Sequence, residues 1–194
     1  MTKGSTDYSL YIHIPWCIKK CPYCDFNSHE KKGDYNEELY VNALIKDLST
    51  EIETVNNKSL KSIFIGGGTP SLFSAASIHR ILEATDNALG INKQTEITLE
   101  ANPGTAEAKK FSDFHAIGIN RLSIGVQSFN NEHLKKLGRV HDAEQAHNAI
   151  QLAQKAGFNR INLDLMFGLP GQNIQQAIDD VAMALRYPTD HLSQ

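Results

Sequence analysis

The chain has 194 residues, of which 41% are hydrophobic and 21% charged, and its formal net charge at pH 7 is −3. This composition is typical of a globular protein with one sizeable core, and the absence of a basic block argues against a nucleic-acid partner. No apolar run reaches the roughly 18 residues of a membrane span, so no integral membrane segment is expected.

Five apolar runs with the residue types of β-strands alternate with helical patterns along the chain. Several are nearly continuously apolar, which is typical of strands that are covered on both faces. The predicted strands are Leu10–Ile14, Leu60–Ile65, Glu96–Glu100, Asn120–Val126 and Arg160–Met166, and a sixth is expected to begin within residues 190–194.

Amphipathic helices with recognisable starts lie between these strands. In the first, Asp34 is the predicted N-cap and Glu37 occupies the capping-box position three residues later. Five strand–helix repeats predict a parallel α/β sheet with right-handed crossovers, and both a doubly wound sheet and a barrel fit them. The other helices are predicted at residues 74–89, 105–118 and 142–157, and from Asn173 onward with Gln176 as the box residue.

Chemically suggestive residues cluster directly after the predicted strands. In parallel α/β folds the carboxyl ends of the strands meet at one edge of the sheet, where ligands bind. The sequence therefore predicts one site that is built from several loops. Its members are the cysteine loop 17–24, the glycine loop 66–71, Glu100, Asn102, Gln127, Arg139 and Asp164.

All three cysteines, Cys17, Cys21 and Cys24, lie in one loop with C-x3-C-x2-C spacing. Three thiolates can hold an iron–sulfur cluster and leave one iron open to a small molecule, which is the interpretation we favour. A zinc ion would need a fourth ligand such as His13 or His29, and a thioredoxin-like pair of Cys21 and Cys24 is the third alternative. The odd number of cysteines argues against a disulfide framework, and the N-terminus lacks a signal-peptide pattern, so a reducing, cytoplasmic compartment is expected.

The glycine loop GGGTPS, residues 66–71, lets a ligand approach the backbone closely. It matches neither the dinucleotide fingerprint nor the P-loop, so it either offers backbone groups to an amino-acid ligand or forms a tight turn before a helix. Arg139 can bind a carboxylate through two hydrogen bonds, and Glu100 or Asp164 can bind an ammonium group or ribose hydroxyls. Each of these two carboxylates could instead be solvated or paired with a neighbouring cation.

The ordered set of motifs resembles the radical S-adenosylmethionine (SAM) family. The motifs are YIHIPWCIKKCPYCDFNS, GGGTPS, EANPG, GVQSF and LDLMFGLPGQ, and together they span nearly the whole chain. Within the family they resemble the branch that contains the oxygen-independent coproporphyrinogen III dehydrogenases and their heme-chaperone relatives. The resemblance implies a partial (β/α)6 TIM-like barrel, here truncated after about five βα units.

The resemblance also implies cofactors and their ligands. Cys17, Cys21 and Cys24 would hold a [4Fe–4S] cluster, and the amino and carboxylate groups of S-adenosyl-L-methionine would chelate the fourth iron. The residues that would line the SAM site are Tyr11, Tyr23, Gly67, Gly68, Thr69, Glu100, Gln127, Arg139 and Asp164. Residues 1–194 would be the N-terminal part of a radical SAM core domain, without the C-terminal domain of the family.

Two functions from this branch are weighed against each other. The dehydrogenases, which decarboxylate porphyrinogen propionates by radical chemistry, carry a further cysteine two residues after the third, and here that position is Phe26. The short segment before the first strand also resembles the chaperone group. We therefore favour a heme chaperone that binds heme and transfers it to an acceptor protein, with its heme ligands outside these residues. The dehydrogenase is the first alternative, and a zinc-stabilised binding module is the second.

Overall fold

The computed structural model describes residues 8–33, 36–55, 60–104 and 108–194 of the chain. Strands and helices alternate through the described residues, as the sequence predicts. The strands are β1 (Tyr8–Ile14), β2 (Trp16–Cys17), β3 (His29–Glu30), β4 (Leu60–Gly67), β5 (Glu96–Ala101), β6 (Arg121–Gln127), β7 (Ile161–Leu165) and β8 (His191–Ser193). The helices are α1 (Glu37–Glu51), α2 (Ala75–Leu89), α3 (Phe111–Ala116), α4 (Asn131–Lys136), α5 (Ala143–Lys155) and α6 (Ile174–Ala184).

The main sheet of the described residues contains six strands in the order β1-β4-β5-β6-β7-β8, and every neighbouring pair is parallel. Each new strand is added beside the strand that precedes it in this sheet. This sequential order is the order of a (β/α) barrel, whereas a doubly wound sheet reverses its direction of growth. The predicted five βα units are therefore present, and the predicted sixth strand, β8, follows them.

The two faces of this sheet differ in chemistry because successive side chains of a strand point to opposite faces. One face packs against the helices through fully buried residues such as Ile63, Leu99 and Ile124. The opposite face carries polar residues near the carboxyl edge, among them Glu100 and Asp164. Strands β5, β6 and β7 are covered on both faces, as the sequence predicts, but at this edge the second face is polar and forms the site.

Side-chain caps fix the starts of the described helices other than α3. Capping boxes at Asp142 of α5 and Asn173 of α6 confirm two predicted starts. The predicted cap Asp34 lies outside the described residues, and α1 is capped by Asn36, whose Oδ1 accepts from the Leu39 N–H at 2.9 Å. Glu37 accepts from the Ser74 N–H and hydroxyl at 2.9 and 2.6 Å, so it joins the starts of α1 and α2.

The predicted start of the third helix at residue 105 lies outside the described residues, and within them α3 begins at residue 111. None of the described helices combines the length and apolar composition that crossing a bilayer requires.

Candidate functional site

A cavity of about 320 Å³ lies at the carboxyl edge of the sheet. Of the twelve residues predicted for the site, eleven line it. Tyr11 is the exception, because it lies on β1 with 55% of its surface exposed and donates its hydroxyl hydrogen to His13 Nδ1 at 3.0 Å. The eleven are Cys17, Cys21, Tyr23, Cys24, Gly67, Gly68, Thr69, Glu100, Gln127, Arg139 and Asp164.

The cysteine loop leaves β1, turns through its three thiols and returns as β3. The short parallel pair of β2 and β3 closes its base, and the Cys24 N–H donates to the Cys21 carbonyl at 3.1 Å within the turn. All three cysteines are free thiols of intermediate burial, and burial raises the pKa of the Cys17 thiol. Three soft sulfur donors around one cavity have the chemistry that an iron–sulfur cluster needs.

The two histidines weighed as fourth ligands of a zinc ion do not line this cavity. His13 Nε2 donates to the Asn27 carbonyl at 2.8 Å and so ties β1 to the end of the cysteine loop. His29 is exposed on β3. In the part of the chain that the structure describes, no three His, Cys, Asp or Glu side chains are arranged to share a single metal ion.

The glycine loop after β4 packs directly against the cysteine loop. The Gly68 N–H donates to the Ile14 carbonyl at 2.7 Å, and the Thr69 N–H donates to the Trp16 carbonyl at 2.8 Å. A Cβ on Gly68 would lie 2.7 Å from the carbonyl carbon of Pro15, which is closer than real Cβ contacts. Gly67 has a φ of 117°, where side chains are strained. Glycine is therefore required at position 68 by the approach of the two loops and at position 67 by its backbone conformation.

Two carboxylates line the opposite part of the cavity. Glu100 Oε2 accepts from the Gly67 N–H at 3.0 Å, and no described Lys or Arg forms an ion pair with it. Burial raises the pKa of Glu100 to about 7, the hydrogen bond from Gly67 lowers it, and the charge of Asp164 raises it. Asp164 accepts from the Ser123 hydroxyl at 2.9 Å, and its pKa is also raised by burial.

Arg139 brings a positive charge to the cavity from the loop after α4. Its Nη2 donates to Asn102 Oδ1 at 2.5 Å and to the Gly125 carbonyl at 3.0 Å, while Nη1 lies 3.5 Å from both Cys21 Sγ and the Tyr23 hydroxyl. No carboxylate of the described residues lies within ion-pair distance of this guanidinium. A cavity with an unpaired cation and an unpaired carboxylate suits a zwitterionic amino-acid group.

A bulge at the end of β6 presents Gln127 to the cavity. Ile124 pairs with Leu163 and Gln127 pairs with Leu165, so β6 has one residue more than β7 over this stretch. Gln127 has a φ of 66°, the one positive value among the described non-glycine residues. This backbone conformation is energetically costly for any residue with a Cβ, and residues that adopt it cluster at active sites and ligand-binding sites.

The other lining residues were predicted only in part. Asn102 was expected at the site from its place after a strand, and its Nδ2 donates to Thr69 Oγ1 at 2.9 Å, which joins the glycine loop to Arg139. Lys19 lies within the predicted cysteine loop, and Phe26 was named only as the position of the further cysteine of the dehydrogenases. Ala101, Ser123 and Gly125 were not predicted, because their neighbours in space lie on other strands.

The model of the radical SAM superfamily matches residues 11–184. The chain belongs to the radical SAM superfamily. Membership implies a [4Fe–4S] cluster and SAM as cofactors, and the parallel α/β architecture described above is the radical SAM fold. The alternation of strands and helices and the resemblance of the motifs to this superfamily are thereby confirmed.

The chain is similar to proteins that are named heme chaperone HemW. It is 49% identical to HemW of Haemophilus influenzae over 189 residues, which cover 95% of this chain and 49% of the relative. HemW of Escherichia coli is also 49% identical, over 95% of this chain and 49% of the relative. Among solved structures, the coproporphyrinogen III oxidase HemN of Escherichia coli, a radical SAM enzyme, superposes with a TM-score of 0.84 at 29% identity, covering 95% of this chain and 43% of that chain. The chain thus spans about half the length of the curated relatives that it matches.

Proposed function

We propose that these residues belong to a heme chaperone, which binds heme and transfers it to an acceptor protein with a [4Fe–4S] cluster and SAM bound at the cavity. The observation that carries the proposal is the 49% identity, over 95% of the chain, to proteins named heme chaperone. The solved coproporphyrinogen oxidase, by comparison, is 29% identical over the same share of the chain.

The cavity supports a division of roles among its residues. Cys17, Cys21 and Cys24 would hold the cluster, because their thiols are the soft donors that line it. Arg139 would bind the carboxylate of SAM, and Glu100 would bind its ammonium group. When bound, the cluster and SAM supply one-electron chemistry, whereas the protein positions them and excludes water.

The remaining cavity residues would complete the SAM site. Gly67, Gly68 and Thr69 let the cofactor approach the backbone, and Gln127 and Asp164 offer polar groups from the ends of β6 and β7. Burial raises the pKa of Tyr23 to about 12, so its phenol stays protonated beside Arg139. Tyr11 remains a predicted SAM contact, which would have to be made from outside the cavity lining.

The dehydrogenase is the second candidate, and the similarity to HemN is the observation in its favour. Phe26 occupies the position at which the dehydrogenases carry a further cysteine. It lines the cavity, and 66% of its surface is exposed. An apolar ring in place of a thiol is one reason to favour the chaperone. A zinc-stabilised module is the weakest alternative, because family membership implies an iron–sulfur cluster.

The proposed partners are heme or another porphyrin and an acceptor protein. The proposed location is the cytoplasm. Three free thiols within residues 17–24 favour a reducing compartment. We name no heme ligand among these residues.

The experiment uses the full-length protein with its cluster reconstituted anaerobically. Heme is titrated and followed by its absorbance, transfer to a heme-free acceptor is measured, and a parallel sample receives SAM, a reductant and coproporphyrinogen III. We expect stoichiometric heme binding, transfer to the acceptor and no decarboxylated product. Turnover of coproporphyrinogen III without heme transfer would establish the dehydrogenase instead. One zinc per chain without iron would establish the binding module.

A further inference from the structure

We propose that Asn162 is a positioning residue that fixes the Asp164 carboxylate at the cavity, and that strand β8 holds Asn162 in place through His191 and Ser193. The sixth strand would thereby contribute to cofactor binding, although it contributes no residue to the cavity lining. This inference rests on the SAM site proposed above; Asn162, His191 and Ser193 lie neither in the motifs nor in the cavity lining.

The strand register places these residues side by side. Ser123 of β6 pairs with Asn162 of β7, and Asn162 pairs with His191 of β8. Two residues further along β7, on the same face, Asp164 pairs with Ser193. One face of three neighbouring strands therefore carries a continuous patch of five polar side chains that ends at the cavity.

Asn162 uses all the hydrogen-bonding capacity of its amide within this patch. Its Nδ2 donates to Asp164 Oδ1 at 2.7 Å and to Ser123 Oγ at 2.8 Å. Its Oδ1 accepts from His191 Nδ1 at 2.6 Å and from the Ser193 hydroxyl at 3.1 Å. Because an amide oxygen only accepts, β8 determines which way the amide faces, and the two donors are left for Ser123 and Asp164.

The Asp164 carboxylate is held from two sides by this arrangement. Asn162 donates to Oδ1 and the Ser123 hydroxyl donates to Oδ2 at 2.9 Å, while Asn162 also donates to Ser123. Burial raises the pKa of Asp164, while the hydrogen bonds from Ser123 and Asn162 and the charge of Arg121 lower it. The network therefore favours an ionised and oriented carboxylate in a partly desolvated place.

The arrangement couples SAM binding to the docking of β8. A site that requires an oriented Asp164 binds SAM more tightly when β8 is docked, so SAM must stabilise the docked strand by the same factor. In the described residues β8 pairs with β7 alone, and the hydrogen bonds of His191 and Ser193 to Asn162 are among the contacts that join the two strands.

The test is a double-mutant cycle on the chain with its cluster reconstituted anaerobically, and the readout is the SAM dissociation constant from equilibrium dialysis. We expect Asn162→Ala and Asp164→Asn each to weaken SAM binding about tenfold, the effect of one lost hydrogen bond to a charged group. The double variant should bind SAM about as weakly as Asp164→Asn alone, because Asn162 acts through Asp164. Ser193→Ala removes one of the two donors to Asn162 Oδ1 and should weaken binding about threefold.

Leu163→Ala is the matched control, because Leu163 lies between the two residues but is buried on the helix-facing side of β7. It should lower the unfolding midpoint while leaving the dissociation constant of the folded protein unchanged. Leu163→Val serves the same purpose if the alanine variant does not fold. Weaker SAM binding in the Leu163 control, equal to that in Asn162→Ala, would mean that Asn162 acts only through stability and would overturn the inference.

The remaining outcomes separate the inference from the site on which it rests. If the wild-type chain does not bind SAM, the proposed cofactor site is wrong and this inference falls with it. If Asp164→Asn weakens SAM binding while Asn162→Ala and Ser193→Ala do not, the site stands and the inference alone is overturned. Amide hydrogen exchange in β8 should slow when SAM is added to the wild type, and an unchanged rate would contradict the coupling.

Discussion

Replacing Glu100 with glutamine should make the cofactor-free chain more stable at alkaline pH and weaken its binding of SAM. Glu100 is largely buried, accepts one hydrogen bond from the Gly67 N–H at 3.0 Å and has no ion-pair partner among the described residues. Its negative charge is therefore unfavourable until a ligand cation arrives. A glutamine oxygen can keep the hydrogen bond from Gly67 without the charge.

The magnitude follows from the pKa. Burial and, secondarily, Asp164 raise the pKa of Glu100 from 4.5 to about 7, against the lowering effect of the Gly67 hydrogen bond. Between these values the folded protein binds more protons at this site than the unfolded chain, so the free energy of unfolding falls as pH rises. A shift of this size corresponds to about 3 kcal/mol, which is fully present below pH 4.5 and lost above about pH 7.

The assay is urea denaturation of the chain, with its thiols kept reduced, at pH 5 and pH 8. The wild type should lose stability between these values relative to Glu100→Gln, and at pH 8 the variant should exceed the wild type by up to about 3 kcal/mol. Glu83→Gln, an exposed change of the same chemistry on α2, is the control and should follow the wild type. Parallel pH dependence of the wild type and Glu100→Gln would refute the reasoning, as would unchanged SAM affinity in the variant.

Three further substitutions test the loops around the cavity. Gly68→Ala should lower the free energy of unfolding by about 2 kcal/mol and reduce iron uptake, because its Cβ would lie 2.7 Å from the carbonyl carbon of Pro15. Gly118→Ala is the control, because its Cβ would have no atom within 4 Å and only its backbone would be strained. Equal iron content in the two variants would show that the contact with Pro15 does not affect the cluster site. Gln127→Gly should raise the free energy of unfolding by about 1 kcal/mol, since φ is 66°, and should weaken SAM binding; a lower melting temperature would contradict this. Arg139→Lys should weaken SAM binding about tenfold with the fold intact, because lysine lacks the planar fork that makes the contacts at 2.5 and 3.0 Å; equal affinity would show that the fork is not used.

The site could largely be predicted from the sequence because of where its residues fall along the chain. Glu100, Gln127 and Asp164 each lie at the end of a predicted strand, and parallel strands present those ends at one edge. Tyr11 also lies on a strand, but three residues before Ile14, which places it about 10 Å below the edge. Tyr11 does not line the cavity, although burial and, after it, the charge of Glu100 raise the pKa of Tyr11.

Contacts that depend on register could not be predicted. The polar residues Ser123 and Asn162 lie within strands, and only the pairing of β6 with β7 brings them beside Asp164. A shift of one residue in that pairing would point them to the opposite face, so these contacts exist only in the observed register. The predicted N-cap of α1 was wrong for a local reason. Asn36, two residues after the predicted Asp34, accepts the hydrogen bond from the Leu39 N–H.

The account depends on a [4Fe–4S] cluster that Cys17, Cys21 and Cys24 hold with one iron open to SAM. The most direct measurement is iron and sulfide content together with the electron paramagnetic resonance spectrum of the reduced chain, with and without SAM, for the wild type and Cys21→Ser. We predict about four irons and four sulfides per chain, a spectrum that SAM alters, and loss of the cluster in the variant. An iron-free wild type, a spectrum indifferent to SAM, or full iron content in Cys21→Ser would contradict it.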